Sequence, residues 1–279
     1  MRAAVAGGAK IVAFGPTGRS TRGIDYQDVP RPVAALADEY PDGYYDPPHS
    51  HRRAQLVYAS AGVMSVTTPT VSVVVPPQRA VWVPPGMVHD ARCRGAVSVR
   101  TLYVDASARD GSPTTCRVLE VSTLLRELII EATQVPVEYD EAGRDGRMMQ
   151  LLLDEIVSTP VAPLHIPMPD HPQLLRICQK MLADPAHKET LDDWAAAANM
   201  GRRTFTRVFR RETGMSFAAW RQHLRLMEAL SRLAVGERVT SVAFDVGYNS
   251  SSAFTAMFRR TFGAAPARYF SAAKTAIQS

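Results

Sequence analysis

The sequence predicts an α+β protein with a strand-rich N-terminal barrel, linking amphipathic helices and an all-helical C-terminal domain. Short β-branched runs alternate with proline and glycine turns from about Val33 to Val104, as in barrels and sandwiches. After Val118 the apolar spacing becomes helical. An amphipathic helix then occurs twice within the last hundred residues. A length of 279 residues also favours two domains over one.

The N-terminal part begins with residues 1–30, which lack periodicity and which we expect to be mobile. We assign the barrel to residues 31–115. Its predicted strands are Gln55–Ala59, Val63–Thr67, Val71–Val75, Ala80–Val83 and Val97–Val104.

Residues 116–158 are predicted to be a helical segment that couples the domains or dimerises. A first helix is expected over Val118–Ala132 and a second over Gly146–Val157. The apolar face of the first helix suits a dimer interface and packing on the barrel equally well. Residues 159–172 contain five prolines, which favours a stiff, extended linker at the domain boundary.

The charge of the chain is unevenly distributed. Residues 171–279 carry a net charge of +8 and residues 1–170 a net charge of −3. A basic C-terminal third is typical of a nucleic-acid-binding domain.

The cysteines and the apolar runs indicate where the protein works. Cys93, Cys116 and Cys178 are widely spaced and include no CxxC pair. This pattern disfavours a disulfide framework or a cysteine zinc site and fits a reducing, cytoplasmic location. Lys10 interrupts the apolar start, so we expect no signal peptide, and no apolar run is long enough for a membrane span.

The repeat lies in residues 173–272. Phe205-Thr-Arg-Val-Phe-Arg-Arg-Glu-Thr-Gly214 matches Phe254-Thr-Ala-Met-Phe-Arg-Arg-Thr-Phe-Gly263 at an offset of 49 residues. A short helix precedes each copy, one starting at Thr190 with a capping box and one at Thr240. A long helix from Phe217 towards Gly236 separates the copies. The sequence therefore predicts two helix-turn-helix units joined by a long helix.

These residues resemble the AraC/XylS family of transcription regulators over about His171–Phe270, most specifically in the run Val242–Tyr269. The resemblance implies a regulator that binds specific sequences of double-stranded DNA. It also implies base contacts from the exposed recognition faces, made by Arg203, Thr206, Arg207, Ser251, Ser252 and Thr255. Phosphate contacts are expected from Arg202, Arg210, Arg211, Arg259 and Arg260. Ala256 occupies the position in the second unit that is equivalent to Arg207 in the first. We therefore expect the second unit to contribute more to placing the protein on DNA than to selecting a base sequence.

A second resemblance concerns the histidines of the barrel. His49-Ser-His51 with Gln55, and Pro85-Gly-Met-Val-His89, are similar to the two motifs of cupin barrels. The resemblance implies an effector pocket or a divalent-metal site made by His49, His51, Gln55 and His89. Gln55 replaces the usual glutamate, and neither Asp46, before two prolines, nor Asp90, on the opposite face from His89, is expected to substitute for it.

The leading hypothesis is therefore a non-enzymatic regulator whose cupin-like barrel senses a small effector, dimerises, or does both. Such a protein would be a homodimer and would contact RNA polymerase, and we expect no catalytic residues. One alternative is a cupin-type metal-dependent enzyme fused to a DNA-binding domain, which Gln55 disfavours. Another is a barrel that binds no ligand and only dimerises.

Overall fold

A computed structural model describes residues 19–270, apart from Gln78 and Pro163. In this part of the chain nine strands form one antiparallel sheet. They are β1 (Val33–Tyr40), β2 (Tyr45–His49), β3 (Ala54–Thr67), β4 (Val71–Val75), β5 (Arg79–Val83), β6 (His89–Val104), β7 (Arg117–Glu120), β8 (Val161–Ala162) and β9 (His165–Pro167). Two helices follow β7, α1 (Thr123–Ala132) and α2 (Arg144–Ser158). The C-terminal helices are α3 (Pro172–Ala183), α4 (Leu191–Ala197), α5 (Arg202–Thr213), α6 (Phe217–Ala234), α7 (Val239–Asp245) and α8 (Ser251–Phe262). The predicted α+β class is confirmed.

The long strands β3 and β6 fold the sheet over itself. They pair with each other and also with different neighbours: β6 with β1 and β2, and β3 with β4 and β5. Their pairing register shifts on either side of Ala61. Gly62 stands at this corner with a φ of +69° and so close to the Ala96 carbonyl that a Cβ would overlap it. Only glycine fits there, and the resulting bend encloses a cavity between the layers.

The predicted helix over Val118–Ala132 is wrong at its start. Arg117–Glu120 forms β7, which pairs with β5 and buries Val118 and Leu119. The helix begins only at Thr123, where the Ser122 hydroxyl accepts a hydrogen bond from the Leu125 N–H. Pairing with a distant strand outweighs the helical spacing of these apolar residues.

The predicted linker over residues 159–172 is extended, but it is not free of the barrel. Val161–Ala162 pairs with β7, and His165–Pro167 pairs with β4. Leu164, Ile166 and Met168 are buried. The prolines are accommodated because these short strands lie at sheet edges.

The predicted mobile segment over residues 1–30 lies partly outside the described residues, which begin at 19. Of the described part, Gly23–Tyr26 forms a 3-10 helix and Tyr26 is buried. The buried Arg53 guanidinium donates hydrogen bonds to the carbonyls of Gln27, Val29 and Arg31. Arg53 therefore anchors residues 27–31 to the barrel, and the mobility expected of residues 1–30 stays a prediction.

The C-terminal helices form two similar units on either side of α6. Their cores are aromatic, with Phe205, Phe209, Phe254, Phe258 and Trp220 fully buried. The predicted capping box at the start of α4 is present between Thr190 and Asp193. Left-handed glycines end both α5 and α8, at φ values of 72° and 80°. The two helix-turn-helix units and the long helix between them are thus as predicted.

Helix α6 also contacts the barrel region. The Trp220 indole N–H donates to the Pro167 carbonyl at 2.7 Å. Arg94 of β6 forms an ion pair with Glu228 of α6 at 2.9 Å. Among the described helices, none combines the length and the apolar character that crossing a lipid bilayer requires.

Candidate nucleic-acid interface and ligand cavity

The first recognition helix, α5, turns its apolar face to the core and its basic face to solvent. Phe205, Val208 and Phe209 are buried, whereas Arg203, Arg207 and Arg210 are exposed. Within the described residues, no carboxylate pairs with these three exposed guanidiniums, because the ion pairs of this region involve other arginines. Their charge is therefore available to an external anion.

The other predicted contacts of α5 have protein partners. Arg202 pairs with Asp192 at 3.0 Å, and Arg211 pairs with Glu212 at 2.9 Å. The Thr206 hydroxyl donates to the carbonyls of Arg202 and Arg203, each at 3.1 Å. Its oxygen can still accept a hydrogen bond, because a hydroxyl has two lone pairs.

The second recognition helix, α8, presents a smaller and less charged face. Its N-cap is Ser250, whose hydroxyl accepts a hydrogen bond from the Ala253 N–H at 3.2 Å. Its face carries an open concavity of about 390 Å³. The lining residues are Ser251, Ser252, Thr255, Ala256, Arg259 and Ala265. Arg260, by contrast, approaches the Met257 sulfur at 2.9 Å.

The barrel encloses a cavity of about 240 Å³, which is open on one side. Since a cavity of about 150 Å³ accommodates benzene, this volume suits a small molecule of roughly ten heavy atoms. Alternate residues of β1, β3 and β6 point into it. These are Leu36 and Tyr40, then Gln55, Val57, Met64 and Val66, then His89, Ala91, Cys93, Val99, Thr101 and Tyr103.

The three histidines predicted to converge do lie together in this cavity. His49 ends β2, His51 lies in the turn that follows, and His89 begins β6. The ring centroids are 4.4–5.5 Å apart, and one ring nitrogen from each histidine lies within 4.8 Å of the others. The Nδ1 atoms of His49 and His89 contact the carbonyls of Pro47 and Met87 at 2.8 and 3.0 Å. Carbonyls only accept, so Nδ1 carries the proton and the Nε2 lone pair is free.

Gln55 lies beside the histidines and is buried. Its amide nitrogen donates to the Tyr103 hydroxyl at 3.5 Å, whereas its buried carbonyl oxygen has no hydrogen-bond partner among the described residues. A buried acceptor without a donor is destabilising. The Gln55 oxygen is therefore a candidate contact for a bound donor or cation.

The electrostatics of the cavity favour neutral imidazoles. Burial, together with the neighbouring His49 and His89, lowers the pKa of His51 to about 4. Burial also lowers the pKa of His89. Both rings are consequently uncharged at neutral pH and can accept hydrogen bonds or coordinate a cation.

Further residues that no motif of the sequence marks also line the cavity. Asp46 lines the cavity, with its carboxylate 3.7 Å from His49 Nε2. An acid is therefore close to the histidines despite the two prolines that follow it. Thr21, Arg22, Gly23 and Ile24 contribute to the wall as well. The β-strand alternation that follows His89 was the sequence signal for Ala91 and Cys93, whereas no local pattern marked Thr21–Ile24.

Two helix-turn-helix units with exposed arginines, preceded by a barrel with a polar cavity, define a class of DNA-binding proteins with an N-terminal ligand-binding domain. Comparisons with known proteins agree with this class. Residues 194–272 match the family described as a helix-turn-helix domain, and residues 32–154 match the AraC-like ligand binding domain.

Individual relatives are also transcription regulators. The HTH-type transcriptional regulator NimR of Escherichia coli is 36% identical over 228 residues, which span 82% of this chain and 83% of NimR. RipA of Corynebacterium glutamicum is 33% identical over 103 residues, 37% of this chain and 31% of RipA. Among solved structures, the DNA-binding domain of AdpA in complex with a target DNA is 32% identical, with a TM-score of 0.36. That alignment covers 37% of this chain and 94% of the AdpA chain.

The chain belongs to the AraC family of transcriptional regulators. It is an AraC-type DNA-binding transcription regulator with an N-terminal ligand-binding domain.

Proposed function

We propose that α5 and α8 lie in the major groove and read bases through Arg203, Thr206, Arg207, Ser251, Ser252 and Thr255. Arg202, Arg210, Arg211 and Arg260 supply contacts to phosphate. The observation that carries this proposal is the row of exposed arginines on α5 with no carboxylate partner among the described residues. Guanidinium groups suit both guanine edges and phosphate oxygens.

The test compares two substitutions on one helix. Arg207→Ala should relax base preference in one half of the binding site, because a bidentate base contact contributes roughly 1–3 kcal/mol of discrimination. Arg210→Ala should weaken all sequences alike. Selection of binding sites from random DNA measures both. An unchanged motif for Arg207→Ala would contradict the assignment.

We further propose that the barrel cavity binds a small effector, with His49, His51, Gln55 and His89 in contact with it. The unpartnered Gln55 oxygen and the free Nε2 atoms support this role. The barrel acts as a sensor without turnover in this proposal, because Gln55 stands where cupin enzymes have a glutamate and the relatives of the chain are transcription regulators. Substituting His51 by Ala should alter the effector response and leave DNA affinity without effector unchanged. Turnover that depends on these histidines would contradict the sensor role.

A second candidate for the same cavity is a divalent metal ion. The specific observation is the convergence of three imidazoles, each of which has one ring nitrogen within 4.8 Å of a ring nitrogen of the other two. Imidazole suits several first-row metals, so the residues fit the class of ion without selecting one. Elemental analysis of protein purified without chelator tests this candidate. His49→Ala, His51→Ala and His89→Ala should each lose the metal, whereas His187→Ala, in the C-terminal domain, should retain it.

The protein is also proposed to work in the cytoplasm as a homodimer that contacts RNA polymerase. Leu124 of α1 and Leu151 of α2 are exposed by 48% and 42%. The Ser122–Glu155 hydrogen bond places the start of α1 beside α2, so these apolar side chains suit a face for a second copy. Analytical ultracentrifugation of Leu151→Lys should show monomers where the parent protein is dimeric. Equal sedimentation of the two proteins would contradict this face.

A further inference from the structure

We propose that Arg259 is a specificity-determining residue, which contacts a base in the half-site read by α8 rather than a phosphate. The inference rests on the proposed function, because it requires α8 to lie in the major groove. It follows from the shape of the α8 face and from the direction in which helical side chains lean.

Arg259 shares a helix face with the predicted base-reading residues of α8. Ser252, Thr255, Ala256 and Arg259 follow one another at spacings of three, one and three, which places them on one side of a helix. All four line the same open concavity. The neighbouring Arg260 does not line it and lies against the Met257 sulfur.

The lean of helical side chains carries Arg259 towards that concavity. Side chains on a helix tilt towards its N-terminus and cover the surface of the preceding turn. The preceding turn holds Thr255 and Ala256, which are small. An extended arginine side chain is longer than one helical turn of about 5.4 Å. The Arg259 guanidinium can therefore pass over Ala256 to the part of the face that enters the groove.

The first unit shows why the two helices differ. Arg210 is the counterpart of Arg259, and Arg207 is the counterpart of Ala256. Arg207 fills the preceding turn on α5 and carries a like charge, so Arg210 is directed away from the groove floor and towards the backbone. In α8 that obstacle is absent, and Arg259 takes the role that Arg207 has in α5.

The chemistry of the contact identifies the base. A guanidinium donates two parallel hydrogen bonds to O6 and N7 of guanine in the major groove. The hydroxyl groups of Ser252 and Thr255 and the methyl group of Ala256 can contact several different bases, so they select the base sequence weakly. The half-site bound by α8 should therefore contain one guanine whose selection depends on Arg259, within a less specific surrounding sequence.

The experiment selects binding sites from random DNA with the full-length parent protein and with Arg259→Ala, Arg259→Lys and Arg260→Ala. Arg259→Ala should lose the preference for guanine at one position of the α8 half-site, a loss of roughly 5- to 150-fold in discrimination. Arg259→Lys should lose most of it too, since lysine keeps the charge and lacks the two-pronged geometry. Arg260→Ala is the matched control: it should weaken binding to all sequences alike and keep the parent motif.

A further variant tests whether the Arg259 side chain passes over Ala256. Ala256→Leu fills the concavity without changing charge, so it should lose the same guanine preference although Arg259 is present. Circular dichroism tests whether each variant is folded. Arg259→Lys keeps the charge and nearly the length of an exposed side chain, so it should fold like the parent.

The outcomes separate the inference from the proposed function. If the parent protein selects no motif, or Arg207→Ala leaves its motif unchanged, the proposed function fails. If Arg207→Ala alters the motif but Arg259→Ala and Arg259→Lys retain every base preference and only bind more weakly, Arg259 contacts phosphate and the inference is overturned.

Discussion

Substituting Gly247 by Ala should destabilise the C-terminal domain more than the same substitution at the other left-handed glycines of that domain, Gly214, Gly236 and Gly263. Gly247 lies in the turn between α7 and α8 with a φ of +85°, and a Cβ there would stand 2.9 Å from the Arg225 guanidinium carbon. Arg225 donates to the carbonyls of Pro185, His187 and Gly247 at 3.2, 3.3 and 3.4 Å. One side chain of α6 thus ties the segment before α4 to the turn before α8.

The magnitude has two parts. A left-handed conformation costs alanine roughly 1–2 kcal/mol. Displacing Arg225 weakens three long hydrogen bonds, each contributing about 0.5–1 kcal/mol when allowance is made for their length. The free energy of unfolding should therefore fall by about 2.5–5 kcal/mol for Gly247→Ala.

The control is Gly214→Ala, because Gly214 has a φ of +72° and no atom within 4 Å of the position of its Cβ. This substitution should cost only the backbone strain, roughly 1–2 kcal/mol. Urea denaturation followed by far-ultraviolet circular dichroism measures both variants. Equal losses of unfolding free energy for Gly247→Ala and Gly214→Ala would refute a stabilising role for the Arg225 hydrogen bonds. In the background Arg225→Ala, the two glycine substitutions should become equivalent.

Three further predictions concern salt, pH and capping. The logarithm of DNA affinity should fall linearly with the logarithm of salt concentration, and Arg210→Ala should reduce the slope by about one, as measured by fluorescence anisotropy. In metal-free protein the melting temperature of the barrel should fall as the pH drops from about 6.5 towards 4. The reason is that the pKa values of His51 and His89 are lowered in the folded protein, so the unfolded chain binds protons that the folded chain does not. His51→Gln should reduce this acid sensitivity. Thr190→Ala should lose the capping box of α4 and about 0.5–2 kcal/mol of unfolding free energy, whereas Thr190→Ser should retain most of it.

The helical domain could be predicted from the sequence because its signals are local. The capping box at Thr190, the repeated phenylalanines and the glycine ends of α5 and α8 all act within a few residues of one another. The long helix α6 was predicted for the same reason. Local signals of this kind identify a helix before any tertiary contact is known.

The sheet was harder to predict because its pairings are distant. Strand β9 pairs with β4 although about ninety residues separate them, and a run with several prolines gave no sign of this. Strand β2 was missed because Pro47 and Pro48 interrupt it, and its pairing with β6 shifts between Asp46 and His49. That same irregularity brings the Asp46 carboxylate close to His49. The regular alternation of side chains along a strand does not predict this contact.

Strand β6 both lines the cavity and contacts helix α6 of the DNA-binding domain. His89, Ala91 and Cys93 of β6 point into the cavity, so Arg94 points to the opposite side of the sheet. There it pairs with Glu228 at the middle of α6, the helix from which both helix-turn-helix units extend. Gly95, the next residue, would contact Val235 after α6 if it carried a Cβ. Alternation along β6 therefore places the face that lines the cavity and the residues that contact α6 within a few residues of each other.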